Sequence, residues 1–186
     1  MNDLSVLRGE LDTVLSYLER EAGDSVSVHR DFFWSIAARE MYDPYVTPVE
    51  FGSGRLTESW AGVIGGGPVA ERLIQVADIL RYLGQRGYDL IFSPVREGWT
   101  FSLKELRTAL DDILVGLGEV PLDWDYFWAI GEEELYDAAA RPQDLTLGYL
   151  PDSWEFATRP RDEDEDPFPY ALVWIAELLR ATGQAM

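Results

Sequence analysis

The chain has no cysteine among its 186 residues. That excludes disulfides, thiolate zinc sites, iron–sulfur clusters and cysteine nucleophiles together. His29 is the single histidine, so histidine-based triads and multi-histidine metal sites are nearly excluded. Lysine is almost absent: 14 of the 15 basic residues are Arg and Lys104 is the exception, which reads as the codon bias of a GC-rich bacterial genome. No stretch approaches the roughly 18 consecutive apolar residues that a membrane span needs. The segment from Met1 to Leu15 carries acids early and has no unbroken apolar run, so no secretory signal is expected. A cytoplasmic setting fits these absences.

What is abundant is negative charge. The formal net charge is −19. Residues 1–94 hold 14 acids and 8 bases (−6), and residues 95–186 hold 20 acids and 7 bases (−13). Such a field repels nucleic acid and anionic membranes, so neither is expected as a partner, and it accelerates encounter with a cationic protein. The same acidity also serves solubility alone.

The chain carries an internal duplication. Asp31-Phe32-Phe33-Trp34-Ser35-Ile36 aligns with Asp125-Tyr126-Phe127-Trp128-Ala129-Ile130, and the gapless match at an offset of 94 continues through Tyr42/Tyr136, Asp43/Asp137, Pro48/Pro142, Gly54/Gly148, Leu56/Leu150, Ser59/Ser153 and Trp60/Trp154. Twelve of the 32 positions from 31 to 62 are identical, and several of them are Trp or Tyr, which chance rarely supplies. Beyond this block the offset is 99: Leu73/Leu172, Ala77/Ala176, Leu80-Arg81/Leu179-Arg180 and Gly84/Gly183. Upstream it is also 99, with Leu4, Leu7, Arg8, Leu11, Asp12 and Leu15 facing Leu103, Leu106, Arg107, Leu110, Asp111 and Leu114. Length differences of this kind belong in surface loops. Two copies are too few for a solenoid, so a pseudo-twofold pair is the natural packing.

The spacing predicts an all-α fold of two similar helical repeats, 1–86 and 101–186, joined by a linker over 87–100. Leu4, Leu7, Leu11, Val14/Leu15 and Leu18 follow helical periodicity, as do Leu103, Leu106, Leu110, Ile113/Leu114 and Leu117. Ser102 is placed to cap the second of these helices, with Glu105 three residues on. Each copy ends in another amphipathic helix that starts near Pro68 or Pro167, and Gly84 and Gly183 stand where a C-terminal cap is expected. Between the two, Phe32–Trp34 and Tyr126–Trp128 read as briefly extended, leading into short helices near Ala37–Tyr42 and Glu132–Tyr136. The residues around Trp60 and Trp154 begin further short helices. Tyr88–Phe92 has a weak strand signal.

Several motifs carry a functional and a structural reading side by side. Trp34, Trp128, Tyr42 and Tyr136 form a candidate ligand cleft with Asp43 and Asp137; the structural reading is that both copies need the same rings, with Trp60 and Trp154, to fill the same core. Asp31/Asp125 and Asp43/Asp137 are suited to caps or turns, or to a carboxylate pair for acid–base work. Gly65-Gly66-Gly67-Pro68-Val69-Ala70 fits the dinucleotide glycine pattern but lacks a preceding strand in a βαβ unit. Asp162-Glu163-Asp164-Glu165-Asp166 opens like a calcium loop, yet Pro167 stands at the sixth position and Val173 at the twelfth, where Gly and Glu are needed. It reads instead as a solvated acidic loop or a docking patch for a basic partner. Glu132 and Glu133 add to it, since the first copy has Ala38-Arg39 opposite them.

The pattern D-[FY]-F-W-x-I-x(3)-E-x-Y-D, then P-x(5)-G-x-L-x-[ED]-S-W and a helix ending L-R-x-x-G, resembles a small bacterial domain found in free-standing proteins of unassigned function. The second copy is the closer match, while the first departs at Phe51-Gly52-Ser53. In character such small acidic proteins are similar to immunity proteins that neutralise toxins. The resemblance implies no catalytic residues.

The sequence therefore points to a non-catalytic acidic binding protein without a cofactor or a metal, of immunity type. Its partner-binding residues would be Asp162, Glu163, Asp164, Glu165, Asp166, Glu132 and Glu133, facing a basic toxin. The alternative is a small-molecule binder or carboxylate-dependent enzyme that uses the aromatic cleft.

Overall fold

The leucine stripe at the start of the chain forms the expected helix. In a computed structural model, which describes residues 2–28, 32–36, 51–120, 127–130, 145–160 and 168–186, helix α1 spans Leu4–Ala22 and buries Leu4, Leu7, Leu11, Val14, Leu15 and Leu18. Asp3 caps it by accepting the Ser5 N–H at 2.8 Å. Strands β1 (Ser25–Val28), β2 (Phe32–Ile36) and β3 (Phe51–Arg55) follow. Next come helices α2 (Leu56–Gly65), α3 (Val69–Arg86) and α4 (Asp89–Phe92). The second half runs β4 (Trp99–Ser102), α5 (Leu103–Leu114), β5 (Phe127–Ile130), β6 (Leu145–Gly148), α6 (Leu150–Thr158) and α7 (Phe168–Ala185).

The fold is mostly helical, but the expectation of an all-α protein needs correction. Three two-stranded sheets, β1–β4, β2–β3 and β5–β6, are present among the described residues, all antiparallel. The strands are four or five residues long, too short for alternation to separate them from loops. Their partners are distant in sequence, so the pairing energy is invisible locally. β1 pairs across the chain with β4, Val26 opposite Phe101 and Val28 opposite Trp99. In the hairpins Phe33 lies opposite Gly54 and Phe127 opposite Gly148, so the backbones of Trp34 and Trp128 hold the same register, opposite Ser53 and Leu147.

Two further expectations fail for physical reasons. Tyr88–Phe92 is not a strand: α4 forms there, with the Ile91 and Phe92 N–H groups donating to the Tyr88 carbonyl at 2.9 Å. The expected linker 87–100 thus contains a helical turn and the first residues of β4. Gly84 and Gly183 are not caps either. Both lie inside their helices, and α3 closes three residues later at Gly87.

What those glycines permit is close approach. A Cβ on Gly84 would lie 2.7 Å from the Pro169 carbonyl oxygen and 2.7 Å from Val173 Cγ2; one on Gly183 would lie 2.7 Å from the Ala70 carbonyl oxygen and 3.0 Å from Ile74 Cγ1. The end of each helix therefore rests on the start of the other, and α3 and α7 pack antiparallel with backbones almost touching. Around this pair one hydrophobic core gathers Leu7, Leu15, Leu73 and Leu80 from the first half with Leu106, Leu150, Leu172 and Leu179 from the second.

The remaining contacts between the halves are equally specific. Arg8 bonds Asp111 at 2.7 Å and Arg107 bonds Asp12. The Leu103 N–H donates to the Asp24 carbonyl at 2.8 Å and the Leu4 N–H to the Gly118 carbonyl at 3.2 Å.

Candidate functional site

The helical face that buries Ala77 and Leu80 in α3 also buries two charges, Asp78 and Arg81, each only 6% exposed. From α7, the buried Arg180 and the partly buried Glu177 meet them. Ser153, buried on α6, donates its hydroxyl to Glu177 Oε2 at 2.9 Å. The short helix α6 turns that hydroxyl inward because Leu150, Ser153 and Ala157 share its buried face. Ser59 occupies the buried face of α2 in the same way.

Burial dominates the electrostatics of this cluster. Loss of water pushes the Asp78 carboxyl up to about 6, against the pull of the Arg180 and Arg81 guanidinium groups. Glu177 is pushed up to about 7 by burial, opposed by the Ser153 hydroxyl and by Arg81 and Arg180. Arg81 falls to about 10 through burial and the neighbouring Arg180, while Glu177 and Asp78 hold it up. Arg81 Nε and Nη2 are buried with no hydrogen-bond partner among the described residues. Two carboxyls that titrate near neutrality can hold or release a proton, and perturbed groups of this kind mark functional sites as well as structural ion networks.

A second feature is a groove of about 380 Å³ between α1 and α5. Leu11, Leu15, Leu110 and Leu114 line it together with the Arg8–Asp111 and Arg107–Asp12 ion pairs. Arg107 also reaches Glu19 at 2.9 Å, and its charge is reinforced above all by the hydrogen bond to Asp12. The groove carries both signs of charge over an apolar floor, with each guanidinium beside a carboxylate.

None of the residues singled out from the sequence is seen assembling a site. The acidic residues Asp162, Glu163, Asp164, Glu165, Asp166, Glu132 and Glu133 lie outside the described residues, as do Tyr42, Tyr136, Asp43 and Asp137. Trp34 and Trp128 are placed by backbone alone, at matching hairpin positions. Trp60 is partly buried against the core, its ring 5.1 Å from Phe101 and 6.4 Å from Trp99, and Trp154 is likewise partly buried against the core. Among the described residues no group of three or more His, Asp or Glu side chains could hold a metal ion, and no helix is long and apolar enough to cross a membrane.

The buried charge cluster was missed by reasoning from sequence, although a signal for it exists. Asp78 and Arg81 interrupt an apolar stripe at inward positions, and Glu177 and Arg180 do so 99 residues later. A charge retained twice on the face that should be apolar is a mark of burial with a partner.

Among the described residues many of the positive charges stand beside carboxylates. Arg8, Arg20, Arg55, Arg72, Arg86, Lys104 and Arg107 all form ion pairs with carboxylates, and Arg159 lies over the Phe156 ring at 5.6 Å. Glu71, Glu97, Glu105, Glu119, Asp152 and Glu155 are exposed, as is Arg96. No family model, no curated protein and no solved structure matches this chain.

Proposed function

We propose that the chain is a non-catalytic acidic binding protein, built from two copies of one unit packed as a pseudo-twofold pair, whose acidic second half docks a basic protein partner. The observation that carries the binding reading is the asymmetry of charge use. Among the described residues Arg81 and Arg180 are buried near Asp78 and seven further basic residues pair with carboxylates, while the chain as a whole carries an excess of −19. Such an excess steers cationic partners and disfavours nucleic acid.

Support for the duplicated architecture comes from contacts that recur with the sequence offsets. Arg8–Asp111 and Arg107–Asp12 exchange under a shift of 99. So do the neighbours of Gly84 and Gly183, and so do Asp78–Arg81 and Glu177–Arg180. The two hairpins share one register under a shift of 94. Cores constrain both copies alike, whereas a docking surface is free to diverge, which agrees with −13 in one half against −6 in the other.

The partner class is a basic toxin domain, with the protein acting as its immunity factor. The reading predicts that a basic protein is encoded beside this chain, and the test is binding of that protein by titration calorimetry at low and high salt. Tight binding that weakens steeply with salt, and that is lost when Asp162–Asp166, Glu132 and Glu133 become Asn or Gln, supports the reading. Binding unchanged by those substitutions counts against the docking surface.

A further inference from the structure

The first 93 residues and the remainder of the chain meet through more than apolar burial. β1 of the first half and β4 of the second form one antiparallel ladder. On the far side Asp3 bridges Glu119, and the Val120 N–H donates to the Asn2 carbonyl at 2.8 Å. Thus the segment before the first helix of each half pairs with the segment after the first helix of the other. The caps are shared too: Asp24 of the first half accepts both the Ser102 hydroxyl, at 3.0 Å, and the Lys104 N–H, at 2.9 Å, at the start of α5. α3 and α7 close the far end with their backbones in contact at Gly84 and Gly183.

Against this, the covalent connection is slight. Between α4 and β4 the chain runs through Ser93–Gly98, of which every residue but Val95 is exposed. Val95 is buried, and Gly98 lies so close to the Val28 carbonyl that a Cβ would strike it; the exposed remainder of the tether contributes chiefly effective concentration.

We infer that each half of this chain is a complete recognition surface for the other, so that a second copy of the chain can supply the missing half and give a domain-swapped dimer. The backbone pairing, the shared helix cap and the glycine-lined helix contact lie between halves, and they form identically whether the two halves come from one chain or from two. Exchange of an identical element between protomers is a low-cost route to a dimer, favoured by changes in the hinge. At ordinary concentrations the tether favours the closed monomer. Shortening it removes that route and leaves the exchanged dimer. The inference rests on these contacts alone and not on docking of a basic partner, and neutralising Asp162–Asp166 leaves it untouched.

The test starts from the full chain with a protease site inserted between Phe92 and Ser93, cleaved after folding. The fragments are expected to co-elute 1:1 at the volume of the intact protein. Their unfolding midpoint should rise with each tenfold increase in concentration, while that of the uncut chain stays constant. Separation of the fragments under native conditions overturns the inference, whether or not they keep their helical signal. The full chain lacking Pro94–Glu97 is expected to run at twice the mass of the monomer; a folded monomer overturns the exchanged dimer. If that variant does not fold, labelled and unlabelled cleaved protein are unfolded together and refolded. Mixed pairs in the statistical proportion support the inference, and their absence overturns it.

Discussion

Gly84 and Gly183 occupy reciprocal positions: each sits where a side chain would strike the carbonyl oxygen at the start of the opposite helix, Pro169 for one and Ala70 for the other, at 2.7 Å. Backbone cannot yield as a flexible side chain can. Gly84→Ala or Gly183→Ala must therefore push α3 and α7 apart, although alanine is intrinsically the better helix former by about 1 kcal/mol. Overpacking costs about 1–3 kcal/mol, so each substitution should lower stability in a urea melt. An unchanged or raised midpoint would show that the helices are not in contact there.

The buried carboxyls make stability depend on pH in a definite direction. Asp78 and Glu177 are raised from about 4 in the unfolded chain to about 6 and about 7 in the fold, so the native state binds more protons between those values. Their contribution is fully present below pH 4 and is lost as pH rises through 6 to 7. The loss is about 2–3 kcal/mol per group. Asp3 and Asp24 are shifted the other way, chiefly by the backbone N–H groups of Ser5 and Lys104, and act only as pH falls through the ordinary Asp range. Denaturant midpoints between pH 4.5 and 7.5 should decline in the wild type and flatten in Asp78→Asn with Glu177→Gln. A flat wild-type profile would contradict the burial of these groups.

Removing one member of the charge cluster should cost far more than removing all four. Arg81→Met leaves the buried Asp78 and the partly buried Glu177 with a single cation, at a cost of about 3–5 kcal/mol. The combined replacement of Asp78, Arg81, Glu177 and Arg180 by apolar residues of similar volume should be near neutral or stabilising. Chemical denaturation of the two variants checks this. Equal losses would mean that the cluster's role lies in its charge as such.

Ser102 links a cap to an inter-half contact, accepting from the Glu105 N–H at 3.2 Å while donating to Asp24. Ser102→Ala should cost about 1 kcal/mol, while Ser102→Asp, a good cap in isolation, should not restore stability because it faces the Asp24 carboxylate. Thermal melts of the two variants suffice, and full rescue by Asp would show that the cap acts alone.

The sequence by itself determined the helices with continuous apolar stripes, because a period of 3–4 residues over about three to four turns has one good solution. Leu4 to Leu18 and Leu103 to Leu114 are buried as their spacing requires, and Ser102 and Glu105 already announce their cap. The pairs Trp34/Trp128 and Arg81/Arg180, which suggest the proposed duplication, are likewise read directly from the sequence. Only tertiary structure decided the rest, because the deciding partner is remote. Val26 and Val28 become a strand when Phe101 and Trp99 arrive beside them. Gly84 is a contact point and not a cap because Pro169 lies across from it. Asp78 is buried and not solvated because Arg180 and Arg81 share the interior with it. A periodic pattern records which face turns inward; what stands opposite that face is a property of the whole chain.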